Sequence, residues 1–182
     1  MKPMLAHVYD STQSVEGWLI TEKLDGWRAI WDGTQLVSRL GNRINAPEWF
    51  TRQLPAGVVL DGELFMGRGN YWKLTSALKK STPLDAEWMQ IQFCVFDAPS
   101  PAPFAQRLAA ATAAVEGCAV AQLVQHRLCA GEWDAMNEMA RVVALGGEGV
   151  VLRNPSAPYA EKRSHDFLKL KPYDSETEKR AA

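Results

Sequence analysis

At 182 residues and 47% hydrophobic composition, the chain can bury one sizeable core but not two of ordinary size. Its 20 Lys plus Arg stand against 21 Asp plus Glu, a net charge of -1, which excludes a uniformly basic surface and confines any nucleic-acid contact to a local patch. Cys94, Cys118 and Cys129 are odd in number and lie in no CxxC spacing, which argues against a disulfide framework or a zinc site and for a reduced, cytoplasmic protein. No apolar run reaches the ~18 residues of a membrane span, and the start, Met1 to His7, does not read as a signal peptide, although an export signal removed beforehand is compatible with it.

In chain order, Trp18-Leu19-Ile20 reads as a strand leading into Glu22-Lys23. Ala29-Ile30-Trp31 and Gln35 to Ser38 flank Asp32-Gly33, a dipeptide that favours a tight hairpin because glycine accepts positive φ. Pro47 to Leu54 reads as a helix, Val58-Val59-Leu60 as a strand, Tyr71 to Lys80 as a helix and Ile91 to Phe96 as a strand. Three prolines between Ala98 and Pro103 make a loop joining the two halves of the chain. Helices over Phe104 to Glu116 and Glu132 to Leu145 follow, the second capped by Gly146-Gly147, then strands over Gly149 to Leu152 and Phe167 to Leu170. This mixture predicts an α+β fold over residues 1–173, with a frayed tail over 174–182 that has no apolar anchor. Most of the tryptophans are expected in the core.

Glu22-Lys23-Leu24-Asp25-Gly26-Trp27-Arg28 places a lysine at the end of an apolar strand, before a glycine turn and an arginine. A lysine is a nucleophile only as the free amine, and phosphoryl transfer would use one; the alternative is a surface lysine in a strand-turn. Asp61-Gly62-Glu63 puts two carboxylates on one side of a strand, fit for a ribose hydroxyl or a metal, or simply solvated. Glu148 stands at the mouth of the buried run Gly149-Val150-Val151-Leu152-Arg153, and a hard cation such as Mg²⁺ needs little more than such a carboxylate plus substrate phosphate. Alternation sends Phe167, Lys169 and Lys171 to one face, where the two amines suit a triphosphate or guard an exposed strand edge. Phe96 can stack on a purine or serve as core. Arg39 and Arg43 share a turn with Gly41 that suits bidentate phosphate binding, or is a solvated hairpin end.

In sequence order, Lys23 to Arg28, Asp61 to Glu63, Phe96-Asp97, Glu148 to Arg153 and Lys169-Leu170-Lys171 resemble the nucleotidyltransferase motifs of the superfamily of DNA ligases, RNA ligases and mRNA capping enzymes. The Pro3-Met4-Leu5-Ala6 start, Glu22 before the lysine and the Ser38-Arg39-Leu40-Gly41-Asn42 turn look most like the adenylation domain of small ATP-dependent DNA ligases of bacterial or phage type, a likeness that runs from about Pro3 to Pro172. The resemblance implies an ATP-grasp-like fold of antiparallel sheets flanked by helices, with the nucleotide between the sheets. It implies ATP as AMP donor, Mg²⁺ or Mn²⁺ as the metal, nicked duplex DNA as substrate and a monomer. On these positions it makes Lys23 the residue that carries AMP, with Glu22 also in the nucleotide site. It gives the ribose and phosphate to Arg28 and Glu63, the adenine to Phe96, the metal to Glu63 and Glu148, and the α-phosphate and pyrophosphate to Lys169 and Lys171. Arg39 and Arg43 fall to the AMP or nick phosphate.

Family members continue past the twin-lysine strand into an OB-fold domain, so with eleven residues after Lys171 that domain is expected to be absent, or supplied by a clamp partner. An RNA-end ligase or capping-type enzyme shares the lysine chemistry, and a non-catalytic nucleotide- or DNA-binding module would share the fold. A dinucleotide-binding oxidoreductase does not fit, because Gly67-Arg68-Gly69-Asn70 follows the wrong element and lacks a third glycine. NAD⁺ as adenylate donor is not expected either, since no nicotinamide-binding domain precedes the lysine.

Overall fold

The structure, a computed structural model, describes residues 1–172, so the expected tail over 174–182 lies outside the described residues. The strands are β1 (Leu5–Val8), β2 (Leu19–Glu22), β3 (Trp27–Trp31), β4 (Leu36–Ser38), β5 (Leu60–Phe65), β6 (Gln92–Asp97), β7 (Ala121–Leu123), β8 (Arg127–Leu128), β9 (Val150–Arg153) and β10 (Arg163–Leu170). The helices are α1 (Glu48–Thr51), α2 (Tyr71–Leu78), α3 (Asp85–Trp88), α4 (Phe104–Val115) and α5 (Glu132–Ala144). They form two sheets, ordered β1-β10-β9-β2-β8 and β4-β3-β5-β6-β7. Most pairings are antiparallel as expected, but β1 with β10 and β6 with β7 run parallel.

Each sheet has its own hydrophobic core. Against the β4-β3-β5-β6-β7 sheet lie Phe50 of α1, Leu74 and Ala77 of α2, Trp88 of α3 and Ala111 of α4, packed with Trp31, Leu60, Leu64 and Phe93. Against the other sheet lie Ala135 and Val142 of α5, packed with Ile20, Val150, Leu152, Leu168 and Leu170. Burying one face of each strand in this way leaves the alternate residues for the opposite face, and that face carries the chemistry. Trp31 and Trp88 are buried and Trp18, Trp27 and Trp49 pack against the cores, whereas Trp72 and Trp133 are exposed.

The hairpin β3–β4 forms as expected: Asp32 Oδ1 accepts from the amides of Thr34 and Gln35, and Gly33 takes φ +96°. Val58 and Val59 do not join β5, because the chain is still leaving a turn in which Gly57, at φ +71°, donates its amide to Gly33 O. The helix expected over 47–54 is a single turn, Glu48–Thr51. β10 begins at Arg163, four residues before the expected Phe167, because its first half pairs with β1.

Candidate active site

The backbones around Lys23 approach one another at glycine. Lys23 follows β2 and donates its amide to Gly149 O at 2.8 Å. Gly149 adopts φ +147°, and a Cβ there would strike Leu170 O and stand 2.9 Å from the Cα of Lys171. Only the absence of a side chain lets β9 carry Lys23 on one side and Lys171 on the other. Gly26, just before β3, does the same against the paired strand β5, since its Cβ would strike Leu64 O and lie 2.8 Å from Cγ of Glu63. Together these two glycines press the lysine turn onto β5, β9 and β10 at once.

A cleft of about 310 Å³ opens there, lined from one sheet by residues of β1, β2, β9 and β10 and from the other by Arg28, Glu63 and Phe96. Lys23 Nζ donates to Glu148 Oε2 at 2.5 Å, and Lys171 Nζ lies 3.6 Å from Glu148 Oε1, so one carboxylate receives two amines. Glu63 is pushed up to about 7, chiefly by desolvation, with the Arg28 and Lys23 charges opposing that rise. Desolvation, then the nearby Glu148 charge, also raises Asp25.

Buried polar groups support this floor. Arg28 gives Nε and Nη2 to the two oxygens of fully buried Asp61, at 2.5 and 2.6 Å, and Nη2 also reaches Met4 O at 3.2 Å. Tyr159 donates its hydroxyl to the same Asp61 at 2.7 Å and accepts from the Met4 amide at 3.0 Å, which pins the start of the chain to the cleft. Asp97 binds Arg107 at 2.8 Å and also Arg153, and all three are buried. Phe96 sits between these systems, with the Arg28 guanidinium 4.6 Å and the Arg153 guanidinium 5.2 Å from its centroid.

A family description, ATP dependent DNA ligase domain, matches residues 3–171. The chain belongs to that family. It is 38% identical over 171 residues to a DNA ligase of Haemophilus influenzae, covering 92% of this chain and spanning 62% of that relative's length. A structure from a structure-function study of Lig E DNA ligases, described as DNA binding with a minimal scaffold, superposes with a TM-score of 0.87 at 30% identity, over 94% of this chain and 69% of that one. The Chlorella virus DNA ligase-adenylate gives a TM-score of 0.73 at 22% identity, over 94% of this chain and 69% of that one. The bacteriophage T7 ATP-dependent ligase complexed with ATP gives 0.71 at 16%, over 94% and 68%; at such identities the likeness is one of fold.

Of the residues the ligase motifs point to, Glu22, Lys23, Arg28, Arg39, Glu63, Phe96, Glu148, Lys169 and Lys171 all line the cleft. Arg43 does not; it is exposed on the far limb of the turn and bridges Val37. Glu22 also borders a smaller recess, shared with Asp25, Gly147 and Glu148, where both its oxygens accept from Arg68 at 2.8 and 2.7 Å. The expected alternation of β10 holds, since Phe167, Lys169 and Lys171 line the cleft while Leu168 and Leu170 enter the core.

Sequence reasoning gave no role to Thr21, His126, Arg153 and Arg163, which also line the ligase cleft. Arg153 had a readable signal: Val150 and Leu152 are core, so alternation sends Val151 and Arg153 to the cleft. His126 had none, because it sits between β7 and β8 with no periodicity around it. Among the described residues no group of three or more His, Cys, Asp or Glu side chains converges as a ready-made metal cage. Two carboxylates, Glu63 and Glu148, fit a hard cation that keeps waters and takes phosphate oxygens.

Proposed function

We propose that the chain is the catalytic core of an ATP-dependent DNA ligase, with residues 1–173 as one nucleotidyltransferase domain. Lys23 accepts AMP, passes it to the 5′-phosphate of a nick, and the adjacent 3′-hydroxyl seals the strand. One observation carries the reading: motif segments scattered from Lys23 to Lys171 converge on a single cleft, with Lys23 Nζ 2.5 Å from Glu148. A fold likeness to ligases alone would not require that convergence.

In the first step the Lys23 amine attacks the α-phosphorus; a P–N bond forms, the bond to the bridging oxygen breaks and pyrophosphate leaves. Glu148 Oε2, the hydrogen-bond acceptor of Lys23 Nζ, takes the proton that the ammonium sheds to become the attacking amine. Lys169 and Lys171, on the cleft face of β10, offset the charge of the α-phosphate and the leaving pyrophosphate. Arg28, locked by Asp61, presents a fixed guanidinium toward ribose and phosphate beside Glu63. Phe96 offers the surface on which adenine stacks, Arg39 meets AMP or the nick phosphate, and Arg43 takes the DNA backbone outside the cleft. Glu63 and Glu148 would hold Mg²⁺ or Mn²⁺, which when bound offsets charge developing on the α-phosphate.

As a ligase core the protein acts as a monomer in a reducing cytoplasm, where all three cysteines stay free thiols; no helix among the described residues is long and apolar enough to cross a membrane.

The test is intact-mass spectrometry after incubation with ATP and Mg²⁺, beside Lys23→Ala and a GTP control. A gain of one AMP, lost in Lys23→Ala and absent with GTP, is expected. Adenylated protein should then seal nicked DNA in preference to nicked RNA. Absence of an adduct, together with failure to seal pre-adenylated nicked DNA with or without an added OB-fold domain, would refute the proposal.

A further inference from the structure

Two polar atoms at one end of the cleft are buried with no hydrogen-bond partner: Nε2 of His126 and Nη2 of Arg153. Both residues line the cleft, and they belong to one group of side chains. The Arg153 guanidinium lies 5.2 Å from the centroid of Phe96 and 4.8 Å from that of Phe104, and Phe104 meets the His126 ring edge to face at 5.6 Å. The Arg153 guanidinium therefore sits beside Phe96, the aromatic ring that the proposed function gives to the base, and His126 joins the group through Phe104 on the same cleft wall; the inference rests on that reading.

The protonation state of His126 follows from its other nitrogen. Nδ1 lies 2.7 Å from Val124 O, and a carbonyl only accepts, so Nδ1 carries the hydrogen. Burial pushes the imidazole down to about 4, so the ring is neutral at pH 7 and Nε2 holds a lone pair. The Thr21 hydroxyl, which also lines the cleft, is committed to Gln125 O at 2.7 Å and ties β2 to the loop bearing His126. The loop is held, and its buried atom without a partner, His126 Nε2, is an acceptor. A buried acceptor without a donor is costly unless a ligand supplies one.

We propose that Nε2 of His126 is the acceptor that reads the 6-amino group of the adenine base, and so sets the preference of this site for ATP over 6-oxopurine nucleotides. A 6-amino group offers an N–H where Nε2 offers a lone pair. The 6-oxo group of guanine brings a second lone pair to the same place and leaves both unsatisfied. Arg153 Nη2, a donor, complements the ring nitrogens that flank the amino group in adenine.

Equilibrium binding of ATP, GTP and purine riboside triphosphate, which has hydrogen at C6, tests this on the intact protein and on His126→Phe, a flat substitute able to pack against Phe104. Wild type should bind ATP about 10-fold more tightly than the 6-hydrogen analogue, the loss of one hydrogen bond, and about 100-fold more tightly than GTP. His126→Phe should bind ATP and the 6-hydrogen analogue equally. Equal binding of those two nucleotides by wild type, retained discrimination in His126→Phe, or no purine binding by wild type would each overturn the assignment. Mass spectrometry of the same samples separates the two claims. Discrimination in binding without a Lys23 adduct leaves the His126 assignment standing and counts against the ligase chemistry. An adduct formed without discrimination does the reverse.

Discussion

Lys23 Nζ and Glu148 Oε2 stand 2.5 Å apart although 125 positions separate them in the chain. The ion pair has a chemical consequence. A lysine attacks phosphorus only after losing a proton, and in the proposed reaction Glu148, the hydrogen-bonded partner of Lys23, takes it. Glu148→Gln keeps the shape and removes the charge, so the rate of lysyl-AMP formation should fall by about 100-fold. A mass-spectrometric time course at saturating ATP measures this, and an unchanged rate would remove Glu148 from the chemistry.

Glu63 gives the cleft a pH dependence. Its carboxyl titrates near 7 in the folded chain against 4.5 in the unfolded one, raised first by desolvation. Between those values the folded state binds more protons than the unfolded state, so this residue's contribution to stability is present at low pH and is lost as pH rises toward 7. Melting temperatures of wild type should fall from pH 5 to pH 8 by more than those of Glu63→Gln, with a difference of about 3 °C. Added Mg²⁺ at pH 7.5 should raise the melting temperature of wild type more than that of the variant, as expected for a cation held by the folded state. Parallel pH profiles would show that burial of this carboxyl carries no such cost.

Gly149→Ala tests the close approach of three backbones. The new methyl group meets Leu170 O and the Cα of Lys171, which are backbone rather than yielding side-chain atoms, at a φ that favours glycine. The end of β10 must shift, and Lys171 moves away from Glu148. The variant should lose about 2 kcal/mol of stability in urea unfolding and nearly all adenylation, whereas Gly41→Ala, also at positive φ but with open space around it, should keep its adenylation.

Asp97→Asn addresses the buried ion cluster. One carboxylate with no exposure serves both Arg107 and Arg153, and neutralising it leaves two buried guanidiniums short of their counter-ion. Unfolding free energy should drop by about 3 to 5 kcal/mol, a large part of a typical total. A loss under 1 kcal/mol would mean that the two arginines find other partners.

Much of the site was legible because its residues sit on strands whose period exposes one face. Once Leu168 and Leu170 are assigned to a core, Lys169 and Lys171 must face elsewhere, and the same step reaches Arg153 from Leu152. Val58 and Val59 misled because their strand propensity is strong, while Gly57 holds the preceding turn against Gly33. β1 was illegible: four residues carry too little pattern, and the strand exists only because β10 offers it an edge. Arg43 was placed by its share of the Gly41 turn, and that turn sends it outward while Arg39 lines the cleft. Asp61, grouped with Glu63 on the sequence, is taken up by Arg28 and Tyr159, a partner that lies 98 residues away and that no local spacing reveals.

The two hydrophobic cores lie one on each sheet, and the cleft between the sheets is walled largely by charged and hydrogen-bonding side chains. The contacts that join the sheets are therefore largely polar, among them the buried Asp97–Arg153 pair between β6 and β9. At the rear of the cleft, Arg68 of the turn after β5 binds Glu22 of β2 and also reaches Leu145 O at 3.3 Å, and so fastens one sheet to the other. Amides deep in either core should exchange with solvent only on global unfolding, while those of the Lys23 turn exchange by a cheaper opening that quickens with added salt.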